Sequence, residues 1–259
     1  MLITTAGRTD EKMIARAQEL AHKFNARYVP RNKKSVLMIM NEWKNDCIVV
    51  GKNRLELYPF GEQGNPFFFH PNSSMFRIKR LQKGECDPFI DAARLESGMK
   101  LLDCTLGLAS DSIVASYIVG STGSVIGVEG NPFLAYLVKE GLQRWDSGVD
   151  DINRAMRRID VIHNHALNVL KQQPNNSFDC VYFDPMFEET IVESDGIKGL
   201  SKFALQESLS EELIKEALRV ASKRIVLKDH FRSKRFYQFP FSIIRRKTSK
   251  FHFGVIEKT

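Results

Sequence analysis

The chain has 259 residues, a formal net charge of +7, 43% hydrophobic residues and 27% charged residues. This composition is ordinary for a globular protein and allows one large domain, or a large domain with a small one. No apolar run reaches the roughly 18 residues that a membrane span needs, and residues 1–8 lack the apolar core of a signal peptide. We therefore expect a cytoplasmic protein without membrane contact.

The residues that could form disulfides or bind a metal ion are few. The four cysteines, none of which forms a C-x-x-C pair, are Cys47, Cys86, Cys104 and Cys180. Isolated thiols, two of them inside apolar runs, fit a reducing compartment better than a disulfide framework or a zinc site. His163 and His165 lie two residues apart but no third ligand is evident, which favours a polar strand end over a metal site. We expect no metal.

Charge is distributed unevenly along the chain. Residues 1–95 contain 16 Lys or Arg and 10 Asp or Glu, residues 96–221 contain 11 and 19, and residues 222–259 contain 11 and 2. Basic flanks around an acidic middle suit a protein that holds a polyanion with its ends and performs chemistry at its centre. A solvated basic surface without a partner is an equally compatible interpretation.

The first 84 residues predict a small α+β domain, with residues 85–259 forming the main domain. Residues 10–24 have the apolar spacing of an amphipathic helix, with Thr9 as its N-cap. Residues 47–50 and 54–58 predict two paired strands joined by a turn at residues 51–53.

An aromatic segment, residues 65–71, is followed by a basic one, residues 75–81. Aromatic rings stack on bases while cations meet phosphates, so this region, through Arg77, Lys79 and Arg80, is a candidate RNA contact. A core strand with a solvated basic face is the alternative.

From Gly98 onward, short apolar runs alternate with amphipathic helices, which is typical of a doubly wound, mostly parallel sheet. The predicted strands are residues 99–104, 124–128, 159–162, 178–183 and 224–228, and a closing pair is expected at residues 239–245 and 251–256. The predicted helices are residues 111–119, 166–171, 211–221 and one that begins at Pro132 with Asn131 as its cap.

Polar residues follow several of these strands. Asp103, Glu129, His165 and Asp184 lie at or just past the strand ends, and in such sheets ligands bind at the carboxyl ends of the strands. We therefore expect these four residues to form one site.

The first loop of this sheet discriminates between two cofactors. A dinucleotide site needs G-x-G-x-x-G for its pyrophosphate, whereas residues 105–111 contain one glycine, Gly107, and place Asp111 where phosphates would lie. S-adenosylmethionine has no phosphates and carries a cationic sulfonium, so it tolerates these carboxylates. Glu129 is placed to accept hydrogen bonds from ribose hydroxyls. A plain acid at a helix N-terminus is the alternative role of Asp111, and the two roles can coexist.

The segment Asp184-Pro-Met-Phe187 resembles the Asp/Asn-Pro-Pro-Tyr/Phe motif of methyltransferases that modify exocyclic amines of bases. Such an amine is a poor nucleophile and must be held and polarised. Asp184 and the Pro185 carbonyl can accept its two N–H bonds, and Phe187 can stack on the base. A structural turn with a buried aromatic is the alternative. A cysteine nucleophile is disfavoured because Cys104 and Cys180 lie in predicted strands.

Taken together, these segments resemble the bacterial ribosomal RNA small subunit methyltransferase J family. The resemblance covers about residues 95–230 and rests on residues 103–111, 128–132, 141–144, 182–187 and 223–228. It implies a class I methyltransferase, Rossmann-like fold with the last strand antiparallel, S-adenosylmethionine as cofactor, and methylation of a guanine N2 in 16S rRNA.

The resemblance also implies particular cofactor contacts. These are Ser110, Asp111, Glu129, Gly130, His165, Ala166 and Asp184. Asp103, Thr105 and Gly107, at the first strand end and in the loop after it, complete the set of predicted cofactor residues. The chain departs from the family after Phe187, where an acidic stretch, residues 188–195, replaces a proline and a basic run. Two other functions stay open: methylation of a small molecule or a protein, and an RNA-binding module that retains the fold without catalysis. The expected partner is RNA, in the form of 16S rRNA or the small ribosomal subunit.

Overall fold

The computed structural model describes residues 1–61, 66–185 and 209–258. These residues form two compact units, one within residues 1–69 and the other from residue 70 onward. Within the described ranges, no helix is both long and apolar enough to cross a membrane.

The N-terminal unit contains a four-stranded sheet with the strand order β2-β1-β3-β4. Its elements are β1 (Leu2–Thr5), α1 (Glu11–Lys23), β2 (Arg27–Tyr28), α2 (Val36–Trp43), β3 (Cys47–Val50) and β4 (Leu55–Tyr58). β1 is parallel to β2 and β3, and β4 is antiparallel to β3. The predicted strand pair is confirmed. The N-cap of α1 is Asp10 rather than Thr9, because the Asp10 carboxylate accepts the Met13 N–H.

Helix α3 (Asn72–Gln82) occupies the segment that contains the predicted basic RNA contact. This helix belongs to the second unit, where it packs against α5 (Ser110–Val119). The sequence prediction put a domain boundary after residue 84, whereas the compact units separate after residue 69. Because α3 lies next to α5, residues of α3 are close to the loop that precedes α5.

The second unit is built on a seven-stranded sheet with the order β10-β11-β9-β8-β5-β6-β7. Its strands are β5 (Lys100–Asp103), β6 (Ser124–Glu129), β7 (Ile159–His163), β8 (Phe178–Phe183), β9 (Ala221–His230), β10 (Ser242–Ile244) and β11 (Phe251–Glu257). The five strands β5 to β9 are parallel where they pair, and β11 is antiparallel to both β9 and β10. The doubly wound, mostly parallel sheet with an antiparallel end is confirmed.

The helices of this unit bury apolar faces against the sheet or against one another. They are α3, α4 (Pro88–Ala93), α5 (Ser110–Val119), α6 (Pro132–Arg144), α7 (Asp150–Arg157), α8 (Ala166–Gln172), α9 (Glu211–Val220) and α10 (Arg235–Gln238). Asn131 caps α6 with Pro132 at its first position, as predicted. Helix α7, which the sequence analysis did not predict, supplies Ile152, Ala155 and Met156 to the core.

The loop after β5 lies tightly against the neighbouring strand. At Gly127 of β6, an added Cβ would clash with Leu106 Cδ1, and the Leu106 N–H donates to the Val128 carbonyl at 2.9 Å. Ala109 has a left-handed backbone, with φ of 61°. Because Gly127 has no side chain, the loop after β5 can approach β6 closely before α5 begins.

Candidate active site

The centre of the large sheet is the place where its strand order reverses. β5 pairs with β6 on one side and β8 on the other, and Asp103 is paired in register with Gly127 and Tyr182. Crevices at such reversal points are the ligand sites of open α/β sheets. Asp103 and Asp184 come from the ends of the two strands on either side of this point.

Asp103 organises the loop that follows it. Its Oδ1 accepts the Thr105 N–H at 3.0 Å and its Oδ2 accepts the Ser112 hydroxyl at 2.6 Å. Burial raises the pKa of Asp103 to about 7, although these two hydrogen bonds oppose the rise. Both carboxylate oxygens are thus used inside the loop, which fixes the path of the chain from β5 to α5.

Thr105 ties the first loop to the end of β8. The Asp184 backbone N–H donates to Thr105 Oγ1 at 2.6 Å, and the Cys104 N–H donates to the Tyr182 carbonyl at 2.9 Å. The backbone at Asp184 is therefore positioned by the loop of the neighbouring strand.

Asp111, at the start of α5, is buried and accepts three hydrogen bonds. Arg77 Nη1 lies 2.5 Å from its Oδ1, while the Tyr182 hydroxyl at 2.8 Å and Lys228 Nζ at 3.1 Å donate to its Oδ2. Burial opposes ionisation of Asp111, but the charges of Lys228 and Arg77 outweigh it and hold its pKa below the ordinary value. Asp111 is therefore a structural anion as well as a helix N-terminal acid.

Lys228 joins this anion to the predicted catalytic motif. Its Nζ lies 2.6 Å from Asp184 Oδ2 and is largely buried. Burial favours the neutral amine, but Asp111 and Asp184 outweigh it and raise the pKa of Lys228. Burial, reinforced by the charge of Asp111, raises the pKa of Asp184 despite the adjacent lysine. One cation is thus shared by two carboxylates.

The charged cluster as a whole carries an excess of negative charge. Arg77 also forms a two-point pair with Asp87, through Nε at 2.7 Å and Nη2 at 2.8 Å. The two cations, Arg77 and Lys228, therefore face three carboxylates, those of Asp87, Asp111 and Asp184. Such a donor set complements a cationic ligand and opposes a polyphosphate.

The other predicted cofactor residues lie at the ends of β6 and β7. Glu129 is buried and its Oε1 accepts the Asn131 N–H at 2.9 Å, while the Asn164 N–H donates to its carbonyl. Gly130 follows directly, and His165 is exposed at the N-cap of α8. Ala166, the first residue of α8, is buried. The ends of β5, β6 and β7 thus bring these residues to one edge of the sheet.

Two further predicted residues line the first loop. Gly107 has a positive φ of 49° and, like Ser110, is partly exposed. The Ser110 carbonyl accepts the hydroxyl of Ser74 from α3 at 3.1 Å. The loop therefore keeps accessible backbone beside its buried acids.

The three predicted RNA contacts on α3 have different surroundings. Arg77 points into the charged cluster, so it supports the site from within. Lys79 and Arg80 are exposed, and Arg80 pairs with Glu85 at 2.6 Å. Only the last two residues offer cations on the surface of this helix.

The remaining predictions concern the rest of the Asp184–Phe187 motif, the cysteines and a metal site. Pro185 is buried directly after Asp184, whereas Phe187 and the acidic stretch 188–195 lie outside the described residues. Cys104 and Cys180 are buried, and burial raises the pKa of Cys180, which argues against a thiolate nucleophile. In the described part of the chain, no group of His, Cys, Asp or Glu has an arrangement suited to a metal ion.

Lys228 and Tyr182 are site residues to which sequence reasoning gave no individual role. Both stood inside segments recognised as strands, and Lys228 is the first charged residue after the apolar run Ile225–Leu227. A charged residue at the end of a buried parallel strand was the available signal, the same one that identified Asp103.

A family model described as "Putative SAM-dependent methyltransferase" matches residues 32–254. The chain belongs to this methyltransferase family. Its order of parallel strands and its antiparallel end agree with this assignment.

Individual relatives of this methyltransferase extend the comparison. It is 48% identical over 256 residues to the uncharacterized protein YpiP of Bacillus subtilis, covering 99% of each chain. It is 27% identical to the ribosomal RNA small subunit methyltransferase J of Buchnera aphidicola subsp. Schizaphis graminum, covering 70% of this chain and 74% of the relative. The crystal structure of the SAM-dependent methyltransferase NGO1261 from Neisseria gonorrhoeae has a TM-score of 0.63 and 18% identity, covering 99% of this chain and 96% of that one, and shows the same fold.

S-adenosylmethionine is accordingly the cofactor of this methyltransferase, and the residues of the edge fit it. Glu129 offers a carboxylate at the end of β6, the loop at Gly107 and Ser110 offers backbone, and the negative excess of the charged cluster complements a sulfonium cation. No phosphate-binding glycine pattern is needed for such a ligand.

Thr105→Val is expected to uncouple the loop after β5 from the end of β8 in this methyltransferase. The valine methyl cannot accept the Asp184 N–H, and leaving a buried donor unpaired costs about 1–3 kcal/mol. We expect the free energy of unfolding to fall by that amount and methyl transfer to fall more than the affinity for S-adenosylhomocysteine. Thr105→Ser, which keeps the hydroxyl, is the control. Equal activities of the valine and serine variants in a labelled-methyl assay would contradict the proposed coupling.

Proposed function

We propose that this protein is an S-adenosylmethionine-dependent N-methyltransferase that acts on RNA, at the exocyclic N2 of a guanine in 16S rRNA. The observation that carries the proposal is the placement of Asp184 and Pro185 at the end of β8, beside the strand reversal and bonded to the β5 loop. Relatives named ribosomal RNA small subunit methyltransferase J support the substrate class.

The reaction requires a weak nucleophile to be held in line with a methyl group. The guanine amino group shares its lone pair with the ring, so its nitrogen must be made pyramidal before it can attack. In the proposed role, an Asp184 carboxylate oxygen and the Pro185 carbonyl accept its two N–H bonds and orient the lone pair. Bound S-adenosylmethionine would supply the electrophilic methyl group and, on cleavage of its S–C bond, leave as neutral S-adenosylhomocysteine.

Lys228 and Asp111 set the charge of Asp184. As the nitrogen forms its bond to the methyl carbon, positive charge develops on it, and the ionised Asp184 carboxylate stabilises that charge. The nitrogen then loses one proton. In this proposal Asp184 accepts that proton, and its raised pKa makes it a better base than an ordinary aspartate. Lys228 holds the carboxylate in position through the 2.6 Å contact throughout.

The test combines cofactor binding with product identification. S-adenosylhomocysteine is expected to raise the melting temperature of the protein, and a rise is the sign of binding to the folded state. The protein is then incubated with labelled cofactor and small ribosomal subunits from a strain that lacks it. Mass spectrometry of the nucleosides is expected to identify N2-methylguanosine.

Each negative result has a distinct meaning. Cofactor binding without labelling of rRNA would favour a small-molecule or protein substrate. Absence of a melting-temperature shift would favour an RNA-binding module that retains the fold without catalysis.

A further inference from the structure

The C-terminal strands return the chain to the edge that carries the candidate active site. β11 runs antiparallel to β9, and Phe251 at its start is paired with His230 at the end of β9. Two loops therefore meet at this edge: residues 231–234, which follow β9, and residues 245–250, which join β10 to β11. Lys228 lies only two residues before His230.

These two loops and the helix between them are strongly basic. Residues 231–250 contain seven Lys or Arg and no Asp or Glu. Most of the basic side chains are exposed, namely those of Arg232, Lys234, Arg245, Lys247 and Lys250. Because the loops are at the edge of the sheet, this charge is next to the site and not spread over a distant face.

Aromatic rings lie among these cations. Phe231 is 41% exposed, and the Arg232 guanidinium carbon lies 5.1 Å from its ring centre. Phe251 has Arg246 at 4.5 Å and Lys228 Nζ at 5.0 Å from its ring centre. Since Lys228 also contacts Asp184, the Phe251 ring is one residue removed from the proposed catalytic carboxylate.

The loop after β9 is held by buried hydrogen bonds. Asp229 is 1% exposed and its Oδ2 accepts the Ser233 hydroxyl at 2.6 Å and Arg235 Nη1 at 2.9 Å. The Phe231 N–H donates to the Lys250 carbonyl at 3.1 Å, which joins the two loops. The rings and cations are therefore presented from a fixed backbone, which lowers the entropic cost of binding.

We propose that the C-terminal rim, defined as Phe231, Arg232, Arg246, Lys247, Lys250 and Phe251, binds the RNA strand that flanks the target nucleotide. This inference rests on the proposed function. The cations contact successive phosphates, Phe231 stacks on a flanking base, and Phe251 lies between this strand and Asp184. Aromatic rings interleaved with positive charges, without acidic residues among them, fit a nucleic acid, because phosphates and base faces alternate along a single strand. The basic helix surface at Lys79 and Arg80 then has a secondary role.

The test reverses charge on the rim and measures RNA affinity at several salt concentrations. The Lys247→Glu/Lys250→Glu double variant is compared with Lys139→Glu/Lys215→Glu, which makes the same charge change at exposed positions of α6 and α9. The probe is a 16S rRNA fragment containing the nucleotide that the wild-type protein labels. We expect the rim variant to bind at least about tenfold more weakly and its salt slope to fall by about 2, since each lost phosphate contact removes about one unit.

A second variant tests stacking without changing charge. Phe231→Ala is expected to weaken RNA binding by about fivefold to 100-fold, while S-adenosylhomocysteine binding stays at the wild-type value in all variants and reports an intact fold.

The possible results distinguish a failure of the rim proposal from a failure of the proposed function. If the wild-type protein labels rRNA and both rim variants bind RNA like the control, the rim proposal is wrong and the function stands. If the wild-type protein shows no salt-dependent RNA binding, both proposals fail. Capture of an acidic ribosomal protein by the rim, with RNA affinity unchanged in the variants, would also overturn the RNA assignment.

Discussion

Replacement of Asp184 by alanine is expected to lower the rate of methyl transfer by at least about 100-fold, the usual cost of removing one group that stabilises developing charge. The protein should still fold, because Lys228 keeps its second partner, Asp111, at 3.1 Å. S-adenosylhomocysteine binding should remain measurable by calorimetry. The measurement is single-turnover transfer of a labelled methyl group to rRNA at saturating protein.

The matched control is Asp179→Ala on the same strand. Asp179 accepts the Lys100 N–H at 2.8 Å and pairs with Lys223 at 3.1 Å, at the opposite end of β8. Its loss removes a carboxylate–lysine pair without touching the proposed site. We expect reduced stability but unchanged transfer. Full activity of Asp184→Ala, or an equal loss in both variants, would refute the role assigned to Asp184.

Lys228→Met is expected to destabilise the folded protein strongly. Methionine fits the aliphatic space of lysine but leaves Asp111 and Asp184 buried without their shared cation. Breaking a buried ion pair by removing one partner costs about 3–5 kcal/mol. Denaturant unfolding should show this loss, with Lys223→Met as the control. Lys223 is on the same strand, but its side chain is 50% exposed, so its removal should cost less than about 1 kcal/mol.

The cost of Lys228→Met should also depend on pH. Without the lysine, the pKa of Asp184, which burial and Asp111 already raise, rises further, whereas Asp111 keeps its bonds to Arg77 and Tyr182. Through Asp184, the folded variant therefore binds protons more tightly than the unfolded chain. The contribution of such a group to the free energy of unfolding is retained at low pH and lost as pH rises through the raised pKa. The gap in unfolding free energy between wild type and variant should therefore widen from pH 5 to pH 8. A gap that narrows over this range would contradict the shared-cation arrangement.

The central strands of the large sheet were predictable because most of their residues are apolar and buried on both faces. Phe178–Phe183 was predicted with the bounds that the structure shows, since a run buried on both sides has a composition that loops rarely have. Leu2–Thr5 was not predicted, because four residues without periodicity carry no signal until a partner strand covers them. Helix α7 was missed for a related reason: its apolar residues are few and its first turn is acidic.

The site was predictable as a set of strand ends, but not as a set of contacts. Asp103, Glu129 and Asp184 follow apolar runs, and the topology of parallel strands brings such residues to one edge. The role of Arg77 was not accessible in the same way. Its spacing in a basic segment indicated a surface residue, whereas the packing of α3 beside α5 directs it to Asp87 and Asp111. Contacts of this kind depend on tertiary packing, which local pattern does not encode.

The hydrogen bond between Lys228 and Asp111 joins residues 117 positions apart in the chain. During synthesis, Asp111 therefore leaves the ribosome long before the cation that compensates it. Strands β5 to β8 can assemble early, but the buried acid at α5 has its full set of partners only when β9 adds to the sheet. Nascent chains that stop before Lys228 are thus expected to hold a protease-sensitive first loop, and the proposed cofactor site is complete only after β9 has joined the sheet.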